Sequence, residues 1–255
     1  MVEETKKHSA VDLIIKNGKI LLEGSLIEAG LAVENGVIVS VAKDPNLPSA
    51  DTVYNAKNKV VLPGFIDLHV HFRDPGYPER EDFNTGTGSA AAGGFTCIGD
   101  MPNPKPPTTS IEAFQEKKKT AEAKALIDFT LYGGTGTKNI DSINTLSRLG
   151  VKAFKTYMTS KYVDLATTSY GGLLNILDEI GSLGLPLMVH AEDQSILDLE
   201  KEKVKKVEGF NAHAGSRPPI AEETAANSAL LAAGYVGTHI YLCHISCASV
   251  IEAVS

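Results

Sequence analysis

Apolar positions follow two regimes along the chain. Over residues 12 to about 61 short apolar runs are broken by turns (DLIIKNGKILLEGSLIEAGLAVENGVIVSVAK), and helical periodicity is weak. Two Asn-Gly pairs, in KNGK (16–19) and ENGV (34–37), lie between apolar runs. That is the strongest short hairpin signal, because both residues of the pair tolerate the left-handed backbone of a tight turn. The reading is a small β module over residues 1–61. At about 50 residues it needs something to pack on.

From residue 62 the pattern changes and predicts a second domain over 62–255. Apolar runs VVLPGFIDLHVHF (60–72), FTCIGDMP (95–102), ALIDFTLYGG (125–134), VKAFKTYM (151–158), LPLMVHAE (185–192) and HIYLCHIS (239–246) read as strands. Helix-like segments at 110–125, 139–150, 172–184 and 221–234 lie between them. Near-continuous apolar strands separated by helices imply a parallel sheet covered on both faces. About six such βα units fit an incomplete (β/α)8 TIM-type barrel, with an open doubly wound sheet as the competitor. No GxGxxG follows the first strand, so a dinucleotide fold has no support. GGTGTK (133–138) lacks phosphate-loop spacing and reads as a βα turn.

Composition narrows the classes. The 255 residues are 43% hydrophobic and 22% charged, close to a globular average. With 24 Lys+Arg against 31 Asp+Glu the formal charge is −7, without the basic footprint of a nucleic-acid binder. No apolar run reaches the ~18 residues of a membrane span, and the N-terminus has no signal-peptide pattern. The expectation is a cytoplasmic protein. Three cysteines make no disulfide framework.

Four of the 7 histidines (His69, His71, His190 and His244) fall at the C-terminal ends of predicted strands. Barrel enzymes build their sites at that end. His69 and His71, two apart on a strand, share a face and suit one metal ion. His8, His213 and His239 have no such placement, although His213 lies in a loop near the mouth. Lys155 sits within an apolar strand, where a charged amine is costly and burial lowers its pKa. A neutral amine there can take up carbon dioxide as a carbamate bridging two metals; the alternatives are a Schiff-base lysine or a charged, salt-bridged one. Cys243 and Cys247 flank His244, but Cys243 should point away from it; Cys97 reads as buried strand filler. The cluster Glu116–Lys124 reads as a solvated helix face.

The strings GFIDLHVHFRDPG (64–76) and GGFTCIGDMPNPKPPT (93–108) resemble the cyclic amidohydrolases, and among them dihydroorotase. Asp67, His69, His71, Arg73 and Pro75 meet the D-x-H-x-H-x-R-x-P pattern. The resemblance continues in order through FKTYM (154–158), VHAED (189–193), RPPIAEETAA (217–226) and LCHIS (242–246). It implies an amidohydrolase barrel with a small N-terminal β-sandwich module. It also implies two Zn2+, or other divalent ions, bridged by N6-carboxylysine at Lys155. His69 and His71 would hold the first ion, and His190 and His244 the second. His71, Arg73 and Asn103 would bind substrate, Arg73 and Asn103 through its carboxylate, and Asp67 would accept from an imidazole. The implied reaction is reversible hydrolysis of dihydroorotate to N-carbamoyl-L-aspartate in pyrimidine biosynthesis.

Arg73 and the Met-Pro-Asn order at 101–103 favour dihydroorotase over allantoinase, and MTSK (158–161) lacks the tyrosine usual in hydantoinases. The family's Asp-bearing strand, which supplies the last ligand and the proton shuttle, has no counterpart here; it is expected beyond Ser255, where about 60 further residues would complete two βα units. No catalytic residue is therefore assigned, and Asp100 and Asp193 lie in the wrong strands. The alternatives are an allantoinase or hydantoinase-type enzyme, or a truncated non-catalytic partner of aspartate transcarbamoylase. Exposed edges on the first and sixth barrel strands predict poor solubility or homo-oligomerisation.

Overall fold

The computed structural model describes residues 11–254, so His8 lies outside the described residues. Two compact units divide between Gly64 and Phe65.

The first unit is a five-stranded mixed sheet: β1 (Val11–Leu22), β2 (Ser25–Glu34), β3 (Val37–Ala42), β4 (Ala50–Asn55) and β5 (Val60–Val61), in the order β3-β2-β1-β4 with β5 also on β1. The Asn35-Gly36 pair makes the predicted hairpin between β2 and β3, both residues having positive φ (50° and 76°). The Asn17-Gly18 pair does not. It lies inside β1, where the register with β2 shifts between Ile15 and Gly18. This is a bulge, which bends a strand without reversing it. The first half of β1 pairs with β4 and the second with β5. A side chain at Gly18 would meet Val61, and Asn17 turns its side-chain amide to Asn55 instead of closing a turn. The reversal falls at the Glu23-Gly24 turn between β1 and β2, also at positive φ.

The second unit carries six parallel strand positions. They are β6 (Phe65–Val70), β7 (Phe95–Asp100), β8 (Asp128–Leu131) continued by β9 (Gly133–Gly134), β10 (Phe154–Tyr157), β11 (Leu187–His190) and β12 (Ile240–Leu242). β8 pairs with β7 and β9 with β10, so the third position breaks at Tyr132. The Tyr132 hydroxyl donates to Leu68 O at 3.0 Å across the inner face. Among the described residues eight α-helices complete the unit: α1 (Phe83–Ala92), α2 (Ile111–Lys124), α3 (Ser142–Arg148), α4 (Tyr170–Ser182), α5 (Gln194–Lys203), α6 (Phe210–Gly215), α7 (Pro219–Val236) and α8 (Ala248–Val254). Side-chain hydroxyls or carboxylates of Asp82, Ser110, Ser169 and Asp193 cap α1, α2, α4 and α5.

Strand alternation sorts the unit into two layers. Phe154, Leu187 and Val189 join Phe83, Ile98 and Leu177 in the core between strands and helices. Met101, Tyr132, Ala153, Met188 and Cys243 form a second cluster inside the strands. The barrel is not closed among the described residues. β6 and β12 each pair on one side only, and Ile66 on β6 is 60% exposed.

The solvated-face reading of 116–124 fails at Lys117. Buried Ala113, Phe114, Lys117 and Ala121 form one helical stripe, and Lys117 is fully enclosed on it. Cys97 is only partly buried. GGTGTK runs from β9 into the loop before α3, as a βα turn.

Candidate metal centre

His69 is the penultimate residue of β6 and His71 is the first residue after it, with ring centroids 5.2 Å apart. His190 ends β11 and His244 follows β12 by two residues; their rings lie 4.8 Å apart, with His190 Nδ1 3.0 Å from His244 Nε2. The two pairs meet at His69 and His244, 5.3 Å between centroids. Four histidines from three strands thus converge on one mouth. His213, exposed on α6, and His239, exposed at the opposite end of β12, do not join them.

Lys155 rises from β10, and its charge acts on His69, His71 and His244. It is fully buried, and among the described residues its Nζ has no nitrogen or oxygen hydrogen-bond partner. Beside it are the Cys243 thiol, a weak acceptor, and the Tyr157 ring, 5.0 Å from Nζ to the centroid. Burial pushes the Lys155 amine below the usual lysine range. Burial and the neighbouring Lys155 charge bring His69 down to about 4. His71 also falls to about 4 through burial, against the opposing Asn103 hydrogen bond. His244 is lowered by burial and by Lys155. Imidazoles of this kind are neutral at neutral pH, the state a metal requires.

Among the described residues no three His, Cys, Asp or Glu side chains surround one point closely enough to hold an ion. The donors are two imidazole pairs and one buried amine, nitrogen groups of the kind a divalent ion takes.

The loops after β6 and β7 supply the polar rim. Asn103 Oδ1 lies 2.7 Å from His71 Nδ1, and Arg73 Nη1 donates to Asn103 O at 3.5 Å. Arg73 (φ 63°) and His244 (φ 41°) have left-handed backbones, each costing about 1–2 kcal/mol for a non-glycine residue. Strain of that kind collects at functional sites. Arg73 and Asn103 open into a cavity of about 490 Å3 also lined by Arg80, Lys105, Lys161 and Tyr162, with Asp164 its one acid. A tyrosine therefore reaches the cavity although MTSK has none.

Among the described residues Asp67 makes no hydrogen bond to an imidazole, although its charge acts on the His69 ring. Its carboxylate accepts the His69 backbone N–H at 3.0 Å. Three further groups were assigned no role from the sequence: Glu192, which bonds His190 and Arg217; the Asp100–Lys117 pair behind the rim; and Cys243 beside Lys155. All but Lys117 lie within the motifs quoted above, and Lys117 could have been found from the apolar stripe of α2.

Residues 58–249 match the family model described as dihydro-orotase-like. The chain is 37% identical to a dihydroorotase of Methanosarcina acetivorans over 92% of this chain and 50% of the relative. It is 35% identical to an allantoinase of Rubrobacter xylanophilus over 93% of this chain and 53% of that protein. Its structure superposes on an L-hydantoinase (dihydropyrimidinase) from Arthrobacter aurescens with a TM-score of 0.89 and 32% identity, covering 96% of this chain and 55% of the other. The chain spans about half the length of these relatives. It belongs to the dihydro-orotase-like family, in the amidohydrolase superfamily.

Proposed function

We propose that this chain carries the metal-binding half of a dihydroorotase site, with His69 and His71 on one divalent ion, His190 and His244 on a second, and carboxylated Lys155 between them. The observation that carries the reading is the buried Lys155 amine, with no nitrogen or oxygen partner among the described residues, whose charge acts on His69, His71 and His244. Zinc suits nitrogen and oxygen donors, although other divalent ions share them. Bound ions would lower the pKa of a water and polarise the ring amide carbonyl.

The chain's own residues would bind and orient. Arg73 offers forked donors to a carboxylate, and the Asn103 amide nitrogen is left to donate while its oxygen faces His71. Four cations against one acid in the adjoining cavity favour dihydroorotate and N-carbamoyl-aspartate over uncharged hydantoins or allantoin. Among the described residues no strand-end carboxylate is free to move the proton. Glu192 is bonded to His190 and Arg217, Asp193 caps α5, and Asp100 pairs with Lys117.

The test is ring closure of N-carbamoyl-aspartate by the zinc-loaded, full-length protein, beside hydantoin and allantoin hydrolysis. Selective turnover of the anionic substrate supports the proposal. Preference for an uncharged ring would move the enzyme to the allantoinase or hydantoinase branch, which the 35% identity to an allantoinase already keeps close.

A further inference from the structure

A carboxylate and an arginine outside the histidine cluster set the direction in which His190 presents its lone pair. His190 Nε2 lies 2.6 Å from Glu192 Oε2, and the Arg217 guanidinium donates to the same oxygen. The other ring nitrogen, Nδ1, faces His244 Nε2 at 3.0 Å. A carboxylate held by an arginine is a pure acceptor, so the Nε2 side of His190 must carry a hydrogen. A neutral ring has only one, which leaves Nδ1 as the bare donor atom.

The scaffold behind this contact is specific. Arg217 stands in the turn between α6 and α7, anchored by its own N–H to Ala214 O. The first turn of α7 docks on the end of β11 through Asp193 N–H to Ala221 O at 2.9 Å. In the same turn, Glu222 Oε1 accepts the N–H groups of Ser246 and Cys247, both at 2.8 Å, just past His244. The start of α7 therefore fastens both members of the second histidine pair.

We infer that Glu192, braced by Arg217, is a positioning residue that fixes His190 as the Nε2–H tautomer and aims its Nδ1 lone pair at the space shared with His244. In the metal-free chain the proton between the two rings then belongs to His244, and a metal would replace it. The purpose of this arrangement rests on the metal reading above; the tautomer itself does not.

Long-range proton–nitrogen NMR of the 15N-labelled, metal-free chain reads the tautomer, and competition with a zinc chelator reads affinity. Expected is an Nε2-protonated His190 in the parent and in Glu192→Gln, whose amide oxygen still accepts from both partners. Glu192→Leu should let the hydrogen move to Nδ1 and weaken Zn2+ binding roughly 10–100-fold. Arg217→Met should keep the tautomer and lose a smaller part of the affinity. An Nδ1-protonated His190 in the parent overturns the inference, even if Glu192→Leu fails to fold. So does a folded Glu192→Leu with unchanged tautomer and affinity. A parent with the expected tautomer that binds no Zn2+ would instead contradict the metal reading and leave the Glu192 assignment standing.

Discussion

Lys117 Nζ lies 2.6 Å from Asp100 Oδ2, and both side chains are enclosed by protein. The pair joins the two arms of the rim: Asp100 Oδ1 accepts the N–H of Phe72, between His71 and Arg73, while Lys117 donates to Met101 O at 2.8 Å, two residues before Asn103. Burial raises the carboxyl's pKa and lowers the amine's, and the mutual attraction opposes both shifts.

Breaking the pair from one side should be severe. Lys117→Met leaves a buried carboxylate unpaired and should cost about 3–5 kcal/mol in urea unfolding. The Lys117→Met/Asp100→Asn double variant removes the charge and keeps an acceptor for Phe72, so it should recover most of that loss. A double variant as unstable as the single one would contradict the charge argument.

The α1 cap predicts a pH effect. The Thr85 backbone N–H and hydroxyl hold the Asp82 carboxyl below its usual range. Since its folded pKa is the lower one, its stabilisation is complete above the ordinary carboxylate pKa and fades as pH falls through the folded value. Asp82→Ala should cost about 1 kcal/mol at neutral pH. Asp82→Asn should keep most of the cap and flatten its acid dependence, as thermal melts between neutral and acid pH would show.

The Lys155 amine should take up carbon dioxide. After incubation with Zn2+ and 13C-bicarbonate, a carbamate carbon resonance is expected that Lys155→Arg abolishes. Its persistence in the variant would place the carbamate elsewhere.

Arg73→Met should weaken N-carbamoyl-aspartate binding to the zinc-loaded protein by about 1.5–3 kcal/mol, the scale of a hydrogen bond to a charged group. Calorimetry should show the parent's affinity falling with salt and the variant's falling less. Equal affinities would remove Arg73 from the substrate site.

Much of this was legible in the sequence because the signals were repeated. Near-continuous apolar runs marked the parallel strands, histidines recurred at equivalent strand ends, and one lysine interrupted the apolar run of β10. What stayed hidden depends on tertiary context. Asn17-Gly18 carries the same local signal as Asn35-Gly36, yet β4 and β5 pair with β1 on either side of it and turn a hairpin signal into a bulge. Lys117 was readable from its helical stripe, but its partner Asp100 comes from a neighbouring strand. Glu192 and Arg217 are 25 residues apart with two helices between them, and no spacing rule joins them.

His69, His71, Lys155, His190 and His244 are proposed to hold a pair of divalent ions together. Equilibrium dialysis against Zn2+ followed by elemental analysis decides this. About two ions per chain are expected in the parent, and loss of bound zinc in Lys155→Ala. A parent without zinc, or a Lys155→Ala variant that binds as much as the parent, would contradict the proposal.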